Sequence, residues 1–209
     1  MIDIRRALAH GPAIHGDTLL AGIPGQRALK VIDGTSFNLP DTAANRQLCP
    51  PSDDQQPGCD FPLVRLAGVF CLKTGALLEE TSAPYAISEN ELFHDLWPTF
   101  YPGDILVADR NFCSYGSLAL LRLCHQTDGL FALHASRASD FRKGRRLGPR
   151  DRLVTWTKPT KKPATLSQAE WELLPATLTV RMVRVRLSST AKTRCPIKRL
   201  RGPGWAIST

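Results

Sequence analysis

The chain has 209 residues, 43% of them hydrophobic and 22% charged, and a formal net charge of +8. That length suits a single domain with a substantial core, and the balance of apolar and charged residues excludes an intrinsically disordered chain. No stretch reaches the roughly 20 apolar residues of a membrane span, and Met1-Ile2-Asp3-Ile4-Arg5-Arg6 lacks the apolar run of a secretory signal, so the expected compartment is the cytoplasm with no membrane partner.

Residues 1–26 are mixed in character and read as a lead-in. The first predicted strand is Ala28 to Leu39, where Leu29, Val31 and Ile32 precede Asp33-Gly34-Thr35 and Pro40 stops the run. Residues 41–60, rich in Pro, Asp, Gln and Ser and without a period, read as a surface loop. Leu63 to Leu72 and Ala76 to Thr81, separated by Lys73-Thr74-Gly75, form a hairpin pattern. Ser88 is placed to cap a helix, with Glu91 completing a capping box and Pro98 ending it.

Asp104 to Ala108 then predicts a short buried strand that delivers Asp109 at its C-terminal end. A second helix follows from Ser114 or Tyr115 to Gln126, with Leu118, Ala119, Leu121 and Leu123 as its apolar positions. Gly129 to His134 reads as a strand. Beyond a basic Gly/Arg loop, Arg152 to Trp156, a capped helix near Ser167 to Leu174 and Thr177 to Leu187 make a β-rich unit. In its last strand Leu178, Val180, Met182 (with a slip), Val183 and Val185 alternate against arginines. The order strand, hairpin, helix, strand, helix, strand implies an α/β fold, a mixed sheet with helices packed on it.

Charge is divided unevenly along the chain. Residues 137–162 hold ten basic residues against Asp140 and Asp151, residues 181–201 hold eight and no acid, and the rest of the chain is net acidic. A basic segment that neutralises phosphates is the footprint of nucleic-acid binding, so Arg142, Lys143, Arg145, Arg146 and Arg150 are candidate DNA contacts. The last fifteen residues read as a solvated tail. Six cysteines without a C-x-x-C pair read as reduced thiols rather than zinc ligands. Trp156 and Trp171 can stack on an unpaired base or fill a core, and His94, His125 and His134 are isolated and read as structural.

The residues that carry chemistry are two aspartates at strand ends, Asp33 in V-I-D-G-T and Asp109 in D-I-L-V-A-D-R. Each follows an apolar run, so rigid elements hold each carboxylate at a sheet edge. On neighbouring strands they would suit Mg²⁺, which takes hard oxygen ligands and keeps several waters; Mn²⁺ suits the same donors. In two-metal phosphoryl transfer one ion activates the attacking oxygen and the other stabilises the leaving one. Aspartates also close strands and turns for structural reasons. Asp41 reads as organising the loop after Pro40, and Asp104 as starting a strand. A haloacid-dehalogenase-like reading of D-G-T fails because its nucleophile position is Val31.

The stretches VIDGTSFNLPDTAANRQ, PGCDFPLVRLAGVFCLKTGALLEE, GDILVADRNFCSY and HASRASDFRKGRRLGPRDRLVTW together resemble the insertion-sequence-4 class of bacterial transposases. The resemblance spans roughly Arg27 to Leu187. It implies a ribonuclease-H-like fold over residues 27–136, with 137–187 as a basic loop and the start of a β-rich insertion. It also implies Mg²⁺- or Mn²⁺-dependent strand cleavage and transfer, transposon-end DNA as partner, a homodimer in the synaptic complex and a nucleoid-associated location. By position Asp33 and Asp109 match the first two members of the family's D-D-E triad, as both catalytic and metal-binding residues, and Arg110 is placed to approach DNA phosphate or to form a salt bridge. Residues 1–26 would be a remnant of an N-terminal DNA-binding region.

The family supplies its glutamate from a Y-x-x-R-x-x-x-E motif, which nothing after Leu187 resembles. Residues 188–209 instead read as an unstructured basic tail, as a frameshift would produce. The expectation is a chain inactive in strand cleavage by itself; the alternative is a non-catalytic, DNA-binding transposase remnant.

Overall fold

The computed structural model of the protein describes residues 27–52, 60–133 and 143–184, with the backbone alone of Gly204–Ser208. Chain packing divides it into two compact units, Met1–Val107 and Ala108–Thr209, a boundary that falls inside the 27–136 stretch. The architecture is α/β, with strands and helices as the sequence order implied.

The first unit is built on four strands: β1 (Leu29–Asn38), β2 (Leu63–Cys71), β3 (Leu77–Pro84) and β4 (Ile105–Ala108), in the order β3-β2-β1-β4. The first three form an antiparallel meander, and β4 joins β1 in parallel, which makes the sheet mixed. Gly75 closes the β2–β3 turn at φ 71°, a conformation that costs a residue with a Cβ. Val69 and Ala67 on β2 and Leu106 on β4 have no measurable exposure and mark the core.

Two α-helices of this unit lie among the described residues. Within the stretch read as loop, α1 (Ala43–Leu48) is a single capped turn and a half, with Thr42 accepting from Asn45 N. It buries no residue, which is why its sequence carries no apolar period. Asp41 pairs with Arg46 through two hydrogen bonds of 2.5 and 3.0 Å, the loop-organising role expected for it. The second, α2 (Glu89–Asp95), has the predicted capping box: Ser88 accepts from Glu91 N, and the Glu91 carboxylate accepts from Ser88 N. It packs Leu92 and Phe93 inward, and Pro98 lies in a following 3₁₀ turn, Trp97–Thr99. His94 lies against the Trp97 ring at 4.3 Å.

The sequence gives no hint of the buried polar centre of this unit. Lys30 is 2% exposed and Asp104 5%, and they form an ion pair at 2.5 Å. Lys30 Nζ also donates to Thr99 O at 2.7 Å and lies 4.6 Å from the Tyr101 ring centroid, while Asp104 accepts from Tyr101 N. Alternation explains the burial of Lys30: it shares a face of β1 with Ile32, opposite to that of Val31.

The second unit holds α3 (Tyr115–His125), β5 (Asp128–Ala132), β6 (Arg145–Gly148), β7 (Asp151–Thr157), α4 (Gln168–Leu173), β8 (Thr177–Arg184) and β9 (Gly204–Ser208). Its strands run antiparallel in the order β5-β9-β8-β7-β6. Ser114 caps α3, Gln126 ends it in the left-handed region, and every residue from Tyr115 to Leu121 is buried. Leu123, expected on the apolar face, is 54% exposed, and Leu120 takes the interior place. A capping box of Ser167 and Glu170 starts α4 as expected, and Lys158 Nζ closes its other end by donating to Trp171 O and Leu174 O.

Three expectations are corrected here. Part of the basic loop, Arg145–Gly148, is a strand, β6, whose polar composition hid its pairing with β7. Met182 needs no slip: it lies 1% exposed on the face of Leu178 and Val180, and Val183 falls on the opposite face with Arg181. Finally, Gly204–Ser208 departs from the unstructured tail read over residues 188–209. These five uncharged residues pair with both β5 and β8, whose backbone groups need partners.

Asp151 on β7 receives a bidentate contact from Arg181 on β8, Nε to Oδ1 at 3.1 Å and Nη2 to Oδ2 at 2.7 Å. Hydrogen bonding from the guanidinium holds the Asp151 carboxyl below its ordinary value. A lowered folded-state value contributes stability above the unfolded value of about 3.9 and loses it as pH falls through the folded one. Arg181→Ala is therefore expected to raise the Asp151 titration midpoint toward that value and flatten the acid branch of the melting profile. Carboxyl NMR titration reads the first effect directly, and an unmoved midpoint would refute the assignment.

Candidate functional site

Asp33 does not end its strand as expected: it is inside β1 (Leu29–Asn38), opposite Gly68 of β2, and marks the point where the strand leaves the core, since Ile32 is 2% exposed and Asp33 itself is exposed. One carboxylate oxygen accepts from Gly34 N at 2.9 Å. Gly34 has an ordinary backbone conformation, and its lack of a side chain serves space instead, because a Cβ there would collide with the Glu89 carboxylate.

Asp109 lies directly beyond the end of β4 and is exposed after the buried Ala108. Its Oδ1 accepts from Asn111 N at 2.7 Å, an Asx turn that fixes the carboxylate to its own backbone. Phe112 and Cys113, both buried, anchor the next segment, and Ser114 opens α3. Arg110 is exposed, and its guanidinium makes no ion pair among the described residues.

The parallel ladder of β1 and β4 pairs Leu29 with Ile105, Lys30 with Leu106 and Val31 with Val107. Asp33 is two residues beyond Val31, and Asp109 two residues beyond Val107. For each aspartate one oxygen is held by a backbone N–H, and the second has no hydrogen bond or ion pair among the described residues. Exposed, oriented carboxylate oxygens fit a hard divalent cation that keeps part of its water. Among the described residues no group of three or more His, Cys, Asp or Glu side chains is arranged to hold a metal.

The basic candidates divide. Lys143, Arg145, Arg146 and Arg150 are exposed on or beside the β6–β7 hairpin. Arg145 and Arg146, successive in a strand, project to opposite faces of it. Lys158, counted in the same basic segment, is committed to α4 carbonyls and lies over the Trp171 ring at 4.4 Å. Arg142, His134, Cys59 and Cys195 lie outside the described residues. Among the described residues Cys49, Cys71, Cys113 and Cys124 form no disulfide bond.

Trp156 and Trp171 do not fill a core completely. With Tyr115, Pro159, Leu166 and Leu174 they line a cavity of about 510 Å³ in the second unit. The Tyr115 hydroxyl donates to Pro175 O at 2.6 Å, and burial pushes its phenol above the ordinary value. The clustering of Trp and Pro between residues 156 and 171 was the available signal for this cavity.

No protein-family model matches the chain, and no curated protein matches it. Among solved structures it is similar to a piggyBac transposase in a synaptic complex with hairpin DNA, determined by cryo-EM, at 10% sequence identity and a TM-score of 0.42. The alignment covers 87% of this chain and 33% of that one, so the chain spans about a third of the length of its structural neighbour. No helix among the described residues is long and apolar enough to cross a membrane.

Proposed function

We propose that this chain is a DNA transposase catalytic-domain protein of the insertion-sequence-4 type, in which Asp33 and Asp109 bind Mg²⁺ or Mn²⁺ for phosphoryl transfer at transposon ends. The observation that carries this reading is the parallel register of β1 and β4: Val31 stands opposite Val107, and each strand delivers its motif aspartate two residues later. The metal, when bound, would supply a Lewis acid and an activated oxygen nucleophile. The protein's own part is to hold two carboxylates at fixed backbone positions through the Gly34 and Asn111 amides.

In this reading Lys143, Arg145, Arg146 and Arg150, with Arg110 and Arg142, engage DNA phosphates, and a homodimer assembles on paired ends in the bacterial nucleoid. The resemblance provides two of three triad carboxylates, so strand cleavage by this chain alone is expected to be undetectable. Nicking of terminal-inverted-repeat DNA in Mg²⁺ or Mn²⁺, abolished by Asp109→Asn, would overturn that expectation of inactivity.

Binding is tested separately from turnover. Each phosphate neutralised contributes about −0.9 to the slope of log affinity against log salt on duplex DNA. The four described exposed cations of the hairpin region therefore predict a slope on the order of −4 if all engage phosphate. Fluorescence anisotropy with a labelled duplex measures it, and an affinity flat from low to high salt would remove the DNA-binding reading.

A further inference from the structure

The buried Lys30–Asp104 pair has no part in the proposed chemistry, yet it sits on the two strands that carry the aspartates. Lys30 precedes Asp33 by three residues on β1, and Asp104 precedes Asp109 by five, immediately before β4. Lys30 Nζ reaches across to Thr99 O at 2.7 Å and Asp104 Oδ2 at 2.5 Å. Arg27 adds contacts from Nε to Gly103 O at 2.5 Å and from Nη2 to Asp104 O at 3.1 Å, and Ile105 N donates to Ala28 O. The entry to β4 is thus tied to the start of β1 by side chains as well as by the ladder.

The parallel pair is only three residues long, Leu29–Val31 against Ile105–Val107, and its buried side chains guard it against a one-residue slip, which would turn every side chain to the other face. A two-residue slip would keep each side chain on its face and move the strand end by about 6.6 Å. Carboxylates that share a metal tolerate displacements of only about 0.5 Å. A buried ion pair adds little net stability over an apolar pair, but a slipped register would strand both charges away from water, so it discriminates strongly among registers.

We infer that Lys30 and Asp104 are positioning residues, a register lock that holds β4 in its parallel pairing with β1, Val107 opposite Val31, and so tunes divalent-metal binding. The inference rests on the proposed function, because the metal site it tunes is the one assigned there. The test uses Mn²⁺ alone as probe, titrated into the full chain and followed by water-proton relaxation. Asp33→Asn and Asp109→Asn define the site, and Lys30→Met/Asp104→Leu replaces the charges by an apolar pair of similar bulk.

The expected result is an at least tenfold loss of Mn²⁺ affinity in the double variant, with circular dichroism and Tm close to those of the parent chain. If that variant fails to fold, Asp104→Asn, which keeps an acceptor for Tyr101 N, replaces it with the same expectation. Parent-like Mn²⁺ affinity in either folded variant overturns the register lock and leaves the functional reading intact. Mn²⁺ binding that is absent, or indifferent to both aspartate variants, overturns the functional reading and the lock with it.

Discussion

Lys30→Met alone is expected to lower the unfolding free energy by roughly 3–5 kcal/mol, the usual cost of breaking a buried ion pair by removing one partner. The substitution keeps the length of the side chain, so little packing volume is lost. What it removes is the ammonium that Asp104 and Thr99 O both contact in an interior from which water is excluded. Asp104 would retain the hydrogen bond from the Tyr101 amide, too little to compensate a buried negative charge. The second substitution, Asp104→Leu, removes that stranded charge and should recover most of the loss. Urea denaturation of the parent, single and double variants measures both steps; a single-variant loss below about 1 kcal/mol would mean that water reaches the pair.

The second large effect is expected at Gly144, which enters β6 at φ 82°. A side chain there is strained by conformation alone, at roughly 1–3 kcal/mol, and its Cβ would also collide with the carbonyl oxygen of Leu153. That oxygen belongs to the backbone of β7 and cannot turn aside as a side-chain end could. Gly144→Ala should therefore separate β6 from β7 around the Arg145–Leu153 pairing and displace Arg145 and Arg146 together. The expected outcome is a loss of duplex-DNA affinity beyond that of Arg145→Ala, with a shallower salt dependence. Hydrogen exchange at the hairpin amides checks the structural half, and unchanged protection in the variant would show that the backbone can absorb the clash.

Local signals made most of the framework legible. Ser88 with Glu91 and Ser167 with Glu170 announce helix starts because their capping bonds span three residues and depend on nothing distant. The β2–β3 hairpin is equally local, set by the Lys73-Thr74-Gly75 turn. Two elements are polar without a period. The helix α1 buries nothing and β6 is an edge strand, so neither bears the apolar rhythm by which elements are recognised. The exposure of Leu123 and the burial of Leu120 show the same limit from the other side, since the width of a helix's buried face depends on what packs around it.

The candidate site divides along that line. That Asp109 directly follows an apolar strand is legible in the residues beside it, for a run such as Ile-Leu-Val-Ala must be interior and the aspartate after it must not be; Asp33 closes an apolar run but not its strand, which continues to Asn38 because its polar half pairs with β2. The sequence by itself determined the strand end before Asp109, the helix caps, the hairpin turn and the concentration of positive charge after residue 137. Only the tertiary structure decided that β4 lies parallel to β1 with Val107 opposite Val31, because a strand's register depends on contacts between segments some 75 residues apart. It also decided that a lysine in an apolar strand is an interior charge with a partner, and that Lys158 serves a helix end. A charged side chain reads the same in sequence wherever it lies, and burial with a partner is a property of the folded chain alone.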